Sequence, residues 1–501
     1  MTRRGAVAWL AVLAVLSAGL RFHALGAQGL WSDELFSVSI ITQVGEGRPW
    51  YEYVPKLFPD LRIDDSALTW KAGENSPPLF EVLLWVWTRV FGVSDFAVRA
   101  LSAVAGSLAP LVLFEGLRRP LGSWAVGGAA LLFALAPSAV ALSQEARGYG
   151  LLMLLATCAV VRLVRYALLR EERQRFGLDV ALYVLLSYTH YTGLVLACAL
   201  VAVRFVLAWW QGRPLREFAW FAAVPLLLAP WLYLNWFSMA ETGTGRFGWR
   251  DYGWPDVWRL MLPKAAAFFM PGLYTLWALL ALALAGAVWG NRRADVRWFL
   301  AAAFAGMVAV HFGYGIYTAF HARVWHERYF SAMLPVGIAL FALLFSLAGP
   351  RRWLPGLVVL AGCAVSVPAV LASYHKPWKE EYREASRYIA QTVPGGKKTT
   401  VVATWAPNAI YFNYYLRGAM AEAGKPYALA AVGAQDDVPQ GVDALCRRLW
   451  QAGEQVVLFQ HQMHRLYFEM VNQRCAGALR WVGGREFRGV FVDFYEGVGR
   501  P

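Results

Sequence analysis

The chain has 501 residues, 58% of them hydrophobic and only 16% charged, with a formal net charge of +14. A soluble protein carries about a quarter charged residues, so an ordinary soluble globular enzyme is excluded. The basic excess lies mostly in short loops between apolar runs, the positive-inside pattern of a membrane protein, and so does not point to nucleic acid.

The first apolar run is Ala6–Leu25, preceded by Arg3-Arg4. It is long and lacks a small-x-small cleavage site before a soluble domain, so a signal anchor is expected, not a removed signal peptide. At about 20 residues per crossing, the further expected spans are Val98–Leu117, Trp124–Leu142, Tyr149–Leu169, the short Leu178–Tyr188, Tyr191–Trp210, Phe218–Trp236, Ala265–Trp289, Trp298–Thr318, Ser331–Ala348 and Trp353–Ser373. Pro77–Gly92 is also apolar, but it is short and contains Glu81 and Arg89, which suits an interfacial helix. Orientation supports this choice. If the segment does not cross, Arg118-Arg119, Arg170, Arg173, Arg175, Arg213, Arg216, Arg292, Arg293, Arg297 and Arg351-Arg352 share a side with Arg3-Arg4; if it crosses, all of them lie opposite. The expectation is a polytopic α-helical membrane protein of eleven spans, N-terminus inside and C-terminus outside. The outward segments are then 27–97, 143–148, 189–190, 238–264, 319–330 and the tail from 374.

Residues 1–373 are expected to form the membrane domain. The tail, 374–501, is no longer hydrophobic. It reads as helix Trp378–Thr392, strand Thr399–Ala403, helix Ala406–Tyr415, strand Gln455–Gln460 and strand Gly489–Tyr495, broken at Pro394-Gly395-Gly396 and Gly483-Gly484, a small α/β domain on the outer, periplasmic side. Of the five cysteines, Cys158, Cys198 and Cys363 fall in apolar runs as packing residues. Cys446 and Cys475 fall in the tail, where an oxidising compartment would permit a bridge. No spacing resembles a zinc site. The 24 tryptophans fit aromatic belts and a substrate groove equally well.

Polar residues gather on the outward face in four places. Trp31-Ser32-Asp33-Glu34-Leu35 puts adjacent carboxylates near a membrane surface, where they are costly unless they bind a cation, an arginine or a substrate. A solvated loop or a helix cap is the plainer reading. Asn75-Ser76-Pro77-Pro78-Leu79 opens the interfacial helix, or is an ordinary Pro-started helix. Ser143–Tyr149 squeezes Glu145, Arg147 and Tyr149 into a very short loop, where a Glu–Arg pair tying two helices would account for the first two. His321–Phe330 holds Arg323, His326, Glu327, Arg328 and Tyr329. A phosphate held near a lipid suits such a cluster, because arginine makes forked, charge-assisted bonds; interfacial anchoring accounts for one Arg and a Trp only. His190-Tyr191 adds a weaker fifth.

The DE pair, SPPL, GVSDFAVRALSA, SQEARGYGLLML, THYTG and HERYF followed by Pro335, in this order over roughly residues 1–350, resemble bacterial glycosyltransferase family 39. That family is related to the protein O-mannosyltransferases and aminoarabinose transferases of the GT-C membrane fold. Where the family has a histidine before the prolines, this chain has Asn75-Ser76. The resemblance implies a polyprenyl-phosphate (undecaprenyl-phosphate) sugar donor, an active site above the membrane, and a catalytic Asp at position 33. It places the transfer on the outer face of the cytoplasmic membrane, and it leaves open both the sugar and the acceptor, whether glycan, lipid or protein. Asp33 would take the acceptor proton in a single, inverting displacement. Arg323 and Arg328, or a divalent cation, would stabilise the leaving phosphate. Glu34 would position Asp33 or share a cation with it, and Arg99 and Arg147 would serve the phosphate or pair with Glu145.

Two other readings compete. A flippase or transporter of lipid-linked sugars would put ionisable groups near the midplane in broken helices, often in repeated halves; here the spans are nearly free of acids and no repeat is visible. An O-antigen-type polymerase or ligase would show a large central outward loop, whereas the largest here is the first.

Overall fold

The computed structural model describes residues 2–42, 71, 76–169, 176–242, 251–269, 296–348, 353–397, 399–403, 406–431, 446, 455–461 and 466–498. The chain divides into two compact units, one of Met1–Leu25 with Leu57–Lys376, the other of Gly26–Lys56 with Pro377–Pro501.

The first unit is helical. Two of its helices begin at a hydroxyl that satisfies an otherwise unpaired N–H of the first turn: Thr2 caps Arg3–Phe22, and Ser94 caps Asp95–Leu121 by accepting from the Ala97 N–H at 3.2 Å. Asp95–Leu121 is the central element. Tyr149–Leu169 lies so close to it that a Cβ on Gly150 would sit 2.3 Å from the Ser102 carbonyl oxygen; only glycine permits that approach. Ser123–Leu135 and Pro137–Ser143 bend by 54° at their junction, where Pro137 lacks the N–H that would continue the ladder. The buried Arg21 donates to the Ala134 carbonyl just before the break, at 3.1 Å, and to Ser143 Oγ at the end of the helix that follows it, at 3.3 Å.

Among the described residues seven helices are long and apolar enough to cross a membrane, eight if the bent pair is one span. The chain is therefore a multi-pass membrane protein. The larger expected number, eleven, also counted Leu178–Tyr188 and Ser331–Ala348, which form the 14-residue helices Phe176–Thr189 and Leu334–Leu347. At 1.5 Å per residue these are shorter than a hydrocarbon core of about 30 Å. It also counted Ala265–Trp289, of which all but the start, in helix Leu262–Phe269, lies outside the described residues. The segment expected at the interface, Pro77–Gly92, forms helix Leu79–Phe91.

Charge inside this bundle is paired. Asp179, 1% exposed, accepts from the Arg162 Nε and, at 2.5 Å, from Arg204 Nη1. The Arg204 guanidinium carbon lies 4.1 Å from the Tyr166 ring centre and 4.5 Å from that of Phe176.

The second unit holds a five-stranded sheet in the order β2-β1-β3-β5-β4. β1 (Thr399–Ala403) pairs in parallel with β2 (Tyr427–Ala431) and with β3 (Gln455–His461); β5 (Val490–Gly497) runs antiparallel between β3 and β4 (Leu479–Phe487). β1 is wholly buried and β3 buried along its middle, as expected of strands covered on both faces. Helices Tyr382–Thr392, Ala406–Glu422 and Leu466–Arg474 complete an α/β unit. Cys446 and Cys475 are joined, with their Cα atoms 5.4 Å apart and a sequence separation of 29. Closing a loop of that length stabilises by about 3–4 kcal/mol in the chain-entropy picture. The same unit contains helix Ser32–Thr42, which buries Leu35, Val38, Ile40 and Ile41. Its Phe36 ring meets that of Tyr411 edge-on at 6.1 Å.

Candidate active site

In the helical unit a small cleft is lined by Ser76, Pro77, Phe80 and Glu81, by Arg147, Gly148 and Tyr149, and by Thr189 and His190. Three of the outward polar groups singled out in the sequence therefore meet. Each is held by a neighbouring element. Glu81 sits in the first turn of helix Leu79–Phe91 and forms an ion pair with Lys71 at 3.0 Å, both side chains buried; Lys71 also donates to Ser76 Oγ at 2.7 Å. This buried Lys71–Ser76–Glu81 group was missed in the sequence, where Lys71 and Glu81 lie far apart on either side of Pro77-Pro78. Asn75 lies outside the described residues. The Ser143–Tyr149 loop is tied down by the Gln144 amide, which donates to the carbonyls of Leu20, Arg21 and His23 at 3.3, 3.2 and 2.8 Å. Ser102 Oγ donates to the Arg147 carbonyl at 3.1 Å. Glu145 and Arg147 are both buried. His190 caps helix Tyr191–Trp210, its Nδ1 accepting from the Thr192 N–H at 3.1 Å.

The fourth group joins them through rings. The His190 ring centre is 5.8 Å from that of Tyr149 and 6.0 Å from that of Tyr329, and the Arg328 guanidinium carbon is 6.0 Å from the Tyr149 centre. His326 caps the short helical turn Glu327–Ala332, and its Nδ1 accepts from the Arg328 N–H at 3.2 Å and from Arg328 Nε at 3.3 Å. Burial, and then the positive charge of Arg328, push the His326 pKa down to about 4. A neutral imidazole at pH 7 follows, with a lone pair to orient the guanidinium instead of a charge to repel it. Glu327 makes an ion pair with Lys264 at 3.5 Å.

Three further predicted members do not line the cleft. Arg323 has a left-handed backbone, φ 57, immediately after helix Val296–Ala322. Such a residue commonly ends a helix, and this one turns its exposed side chain to Asp251 at 2.9 Å. Arg99 is buried and donates to the Leu25 carbonyl at 2.9 Å, closing the turn after the first helix. Tyr191 sits at the start of its helix, where its hydroxyl accepts from Trp231 Nε1 at 3.1 Å.

Asp33 and Glu34 belong to the other unit, in the first turn of helix Ser32–Thr42, where carboxylates favour the positive helix end. They are not alike. Glu34 is fully buried, accepts from Lys379 Nζ at 3.1 Å and from the Trp31 N–H at 3.3 Å. Asp33 is half-buried. Burial, then the charges of Glu380, Tyr411 and Asp33, hold the Tyr382 hydroxyl well above the ordinary phenol range, so it remains protonated. Among the described residues no group of three or more His, Cys, Asp or Glu could hold a metal ion, and a cation at the Asp33–Glu34 pair would compete with Lys379 for Glu34.

Residues 75–236, which include all nine that line the cleft, match the family model of the dolichyl-phosphate-mannose-protein mannosyltransferases. No curated protein sequence matches the chain. Among solved structures, the chain is similar to ArnT from Cupriavidus metallidurans bound to undecaprenyl phosphate, at TM-score 0.60 and 14% identity over 97% of this chain and 98% of that one. It is similar to the apo state of the same protein at 0.59 and 15%, over 98% of each. The Archaeoglobus fulgidus oligosaccharyltransferase in complex with zinc and sulfate aligns at 0.48 and 13%, over 96% of this chain and 73% of that one.

Proposed function

We propose that this multi-pass membrane glycosyltransferase of GT-C fold moves a sugar from undecaprenyl phosphate to an acceptor hydroxyl, with inversion, on the outer face of the cytoplasmic membrane. The observation that carries the reading is the cleft in which the glycosyltransferase-family stretch brings Arg147, Tyr149 and His190 together, with Arg328 facing Tyr149. Forked guanidiniums suit the oxygens of a lipid phosphate. Undecaprenyl phosphate is what the similar ArnT structure binds. The Cys446–Cys475 bridge supports an outward tail, since disulfides persist in oxidising compartments. The basic loops support the same orientation.

In this mechanism Asp33 accepts the acceptor's hydroxyl proton as the oxygen attacks the anomeric carbon. The bond from that carbon to the phosphate oxygen breaks, and the lipid phosphate leaves with its charge stabilised by Arg147 and Arg328. Glu34, engaged by Lys379, orients its neighbour and takes no proton.

Arg328→Ala tests the phosphate assignment. One charge-assisted contact contributes about 1.5–3 kcal/mol, so undecaprenyl phosphate should bind the purified variant about 10- to 150-fold more weakly. Unchanged affinity would move the phosphate site away from Arg328.

A further inference from the structure

The helix that carries Asp33 is held by residues more than three hundred positions later in the chain. A helix start leaves N–H groups without intrahelical partners, and here the Ser32 N–H is satisfied by Glu380 Oε2 at 2.8 Å. The other oxygen of the same carboxylate bonds His461 Nε2 at 2.7 Å, at the end of β3. The preceding residue, Lys379, holds Glu34 at 3.1 Å, and Gln28 Oε1 accepts from the backbone N–H groups of Trp378 and Lys379, both at 3.2 Å. Residues 378–380 thus run along residues 28–34 as a strap.

The strap is itself fixed by the β4–β5 turn. Glu381 accepts from the Arg488 N–H at 2.9 Å and returns its own N–H to the Arg488 carbonyl at 3.0 Å, and Arg488 Nη1 donates to the Lys379 carbonyl at 3.1 Å. Gly489 has φ 76, and a Cβ there would meet Glu380 Cγ at 2.6 Å. Any other residue would push Glu380 off its two partners.

We infer that Glu380 and His461, with Lys379 beside them, are positioning residues for the Asp33 carboxylate, and that the C-terminal unit is thereby part of the catalytic apparatus. This rests on the reading of Asp33 as the base. A misplacement near 1 Å of a catalytic group can cost about 10²-fold in rate, so the device acts on turnover and not on donor binding.

The test uses full-length protein in detergent and measures turnover, undecaprenyl phosphate affinity and the folded fraction for Asp33→Asn, Glu380→Ala, Glu380→Gln and His461→Ala. Glu380→Ala should lose about 10²-fold in turnover per folded molecule with donor affinity unchanged. Glu380→Gln keeps an oxygen for the Ser32 N–H and should recover most of that loss. His461→Ala, which frees one side of the carboxylate, should fall between the two. Wild-type turnover in Glu380→Ala and His461→Ala beside a dead Asp33→Asn would overturn the positioning role while leaving Asp33 as base; a Glu380→Gln as slow as Glu380→Ala would also overturn it. Wild-type turnover in Asp33→Asn would remove the base reading and this inference together. Should Glu380→Ala not fold, His461→Ala decides alone, since reduced turnover at unchanged donor affinity supports the role and normal turnover contradicts it.

Discussion

Replacing Asp33 with Asn is expected to lower turnover by about 10²–10⁴-fold, the usual contribution of a general base, with donor affinity unchanged. Asparagine keeps the shape and one acceptor oxygen and removes only the charge. The adjacent carboxylate cannot take over without giving up its ion pair, because Glu34 is fully buried against Lys379. Donor affinity is the control, because the proposed phosphate contacts come from Arg147 and Arg328, outside this helix. Both quantities are to be measured in one detergent preparation shown to be folded. Near-normal turnover would take Asp33 out of the mechanism and make Glu145, buried in the short loop beside the cleft-lining Arg147, the next base to test.

Asp179→Ala is expected to be the most destabilising single change in the helical unit. It removes the carboxylate shared by Arg162 and Arg204, and Arg204 is only 1% exposed. Breaking a buried ion pair by deleting one partner costs about 3–5 kcal/mol, because the remaining charge is left without compensation. Stacking on Tyr166 and Phe176 recovers only part of this, a cation–ring contact contributing about 2 kcal/mol when desolvated. Thermal unfolding in detergent should show a clearly lowered midpoint for Asp179→Ala, and less of a drop when Arg204→Met is added. An unchanged midpoint in the single variant would mean that the pair contributes nothing to holding Phe176–Thr189 against Tyr191–Trp210.

The sequence was most readable where the physics is local. A long apolar run has few options other than a helix, and short loops between such helices keep polar residues close together. That is why Ser76–Glu81, Arg147–Tyr149, His190 and Arg328 were expected on one face and are found around one cleft. Arg323 departs because its left-handed backbone at a helix end turns the side chain outward, which residue type alone does not reveal. The third expected span was read as continuous although Pro137 was visible, and it bends there by 54°.

In the tail, β1, β3 and β5 were recognisable as buried apolar runs. Tyr427–Ala431 was not, since an alanine-rich segment favours helix by propensity and becomes a strand only by pairing with β1. Leu479–Phe487 is largely exposed, with Arg480, Gly483, Gly484 and Arg485 diluting any alternation. The expected helix at Trp378 starts instead at Tyr382, since residues 378–381 are drawn out along Gln28 and Glu34. Contacts such as Ser32–Glu380 and Glu34–Lys379 are set by tertiary folding, and no spacing along the chain announces them.

The most direct measurement of the whole account is chemical. Purified full-length protein in detergent, given an undecaprenyl-phosphate-linked sugar and an acceptor hydroxyl, should release free undecaprenyl phosphate in step with glycosylated acceptor, and the product should carry the inverted anomeric configuration. Detergent abolishes the two sides of a membrane, so a flippase or transporter would leave the donor chemically unchanged. A donor recovered intact with every acceptor class offered, glycan, lipid and protein, from protein that still binds undecaprenyl phosphate, would contradict the transferase reading.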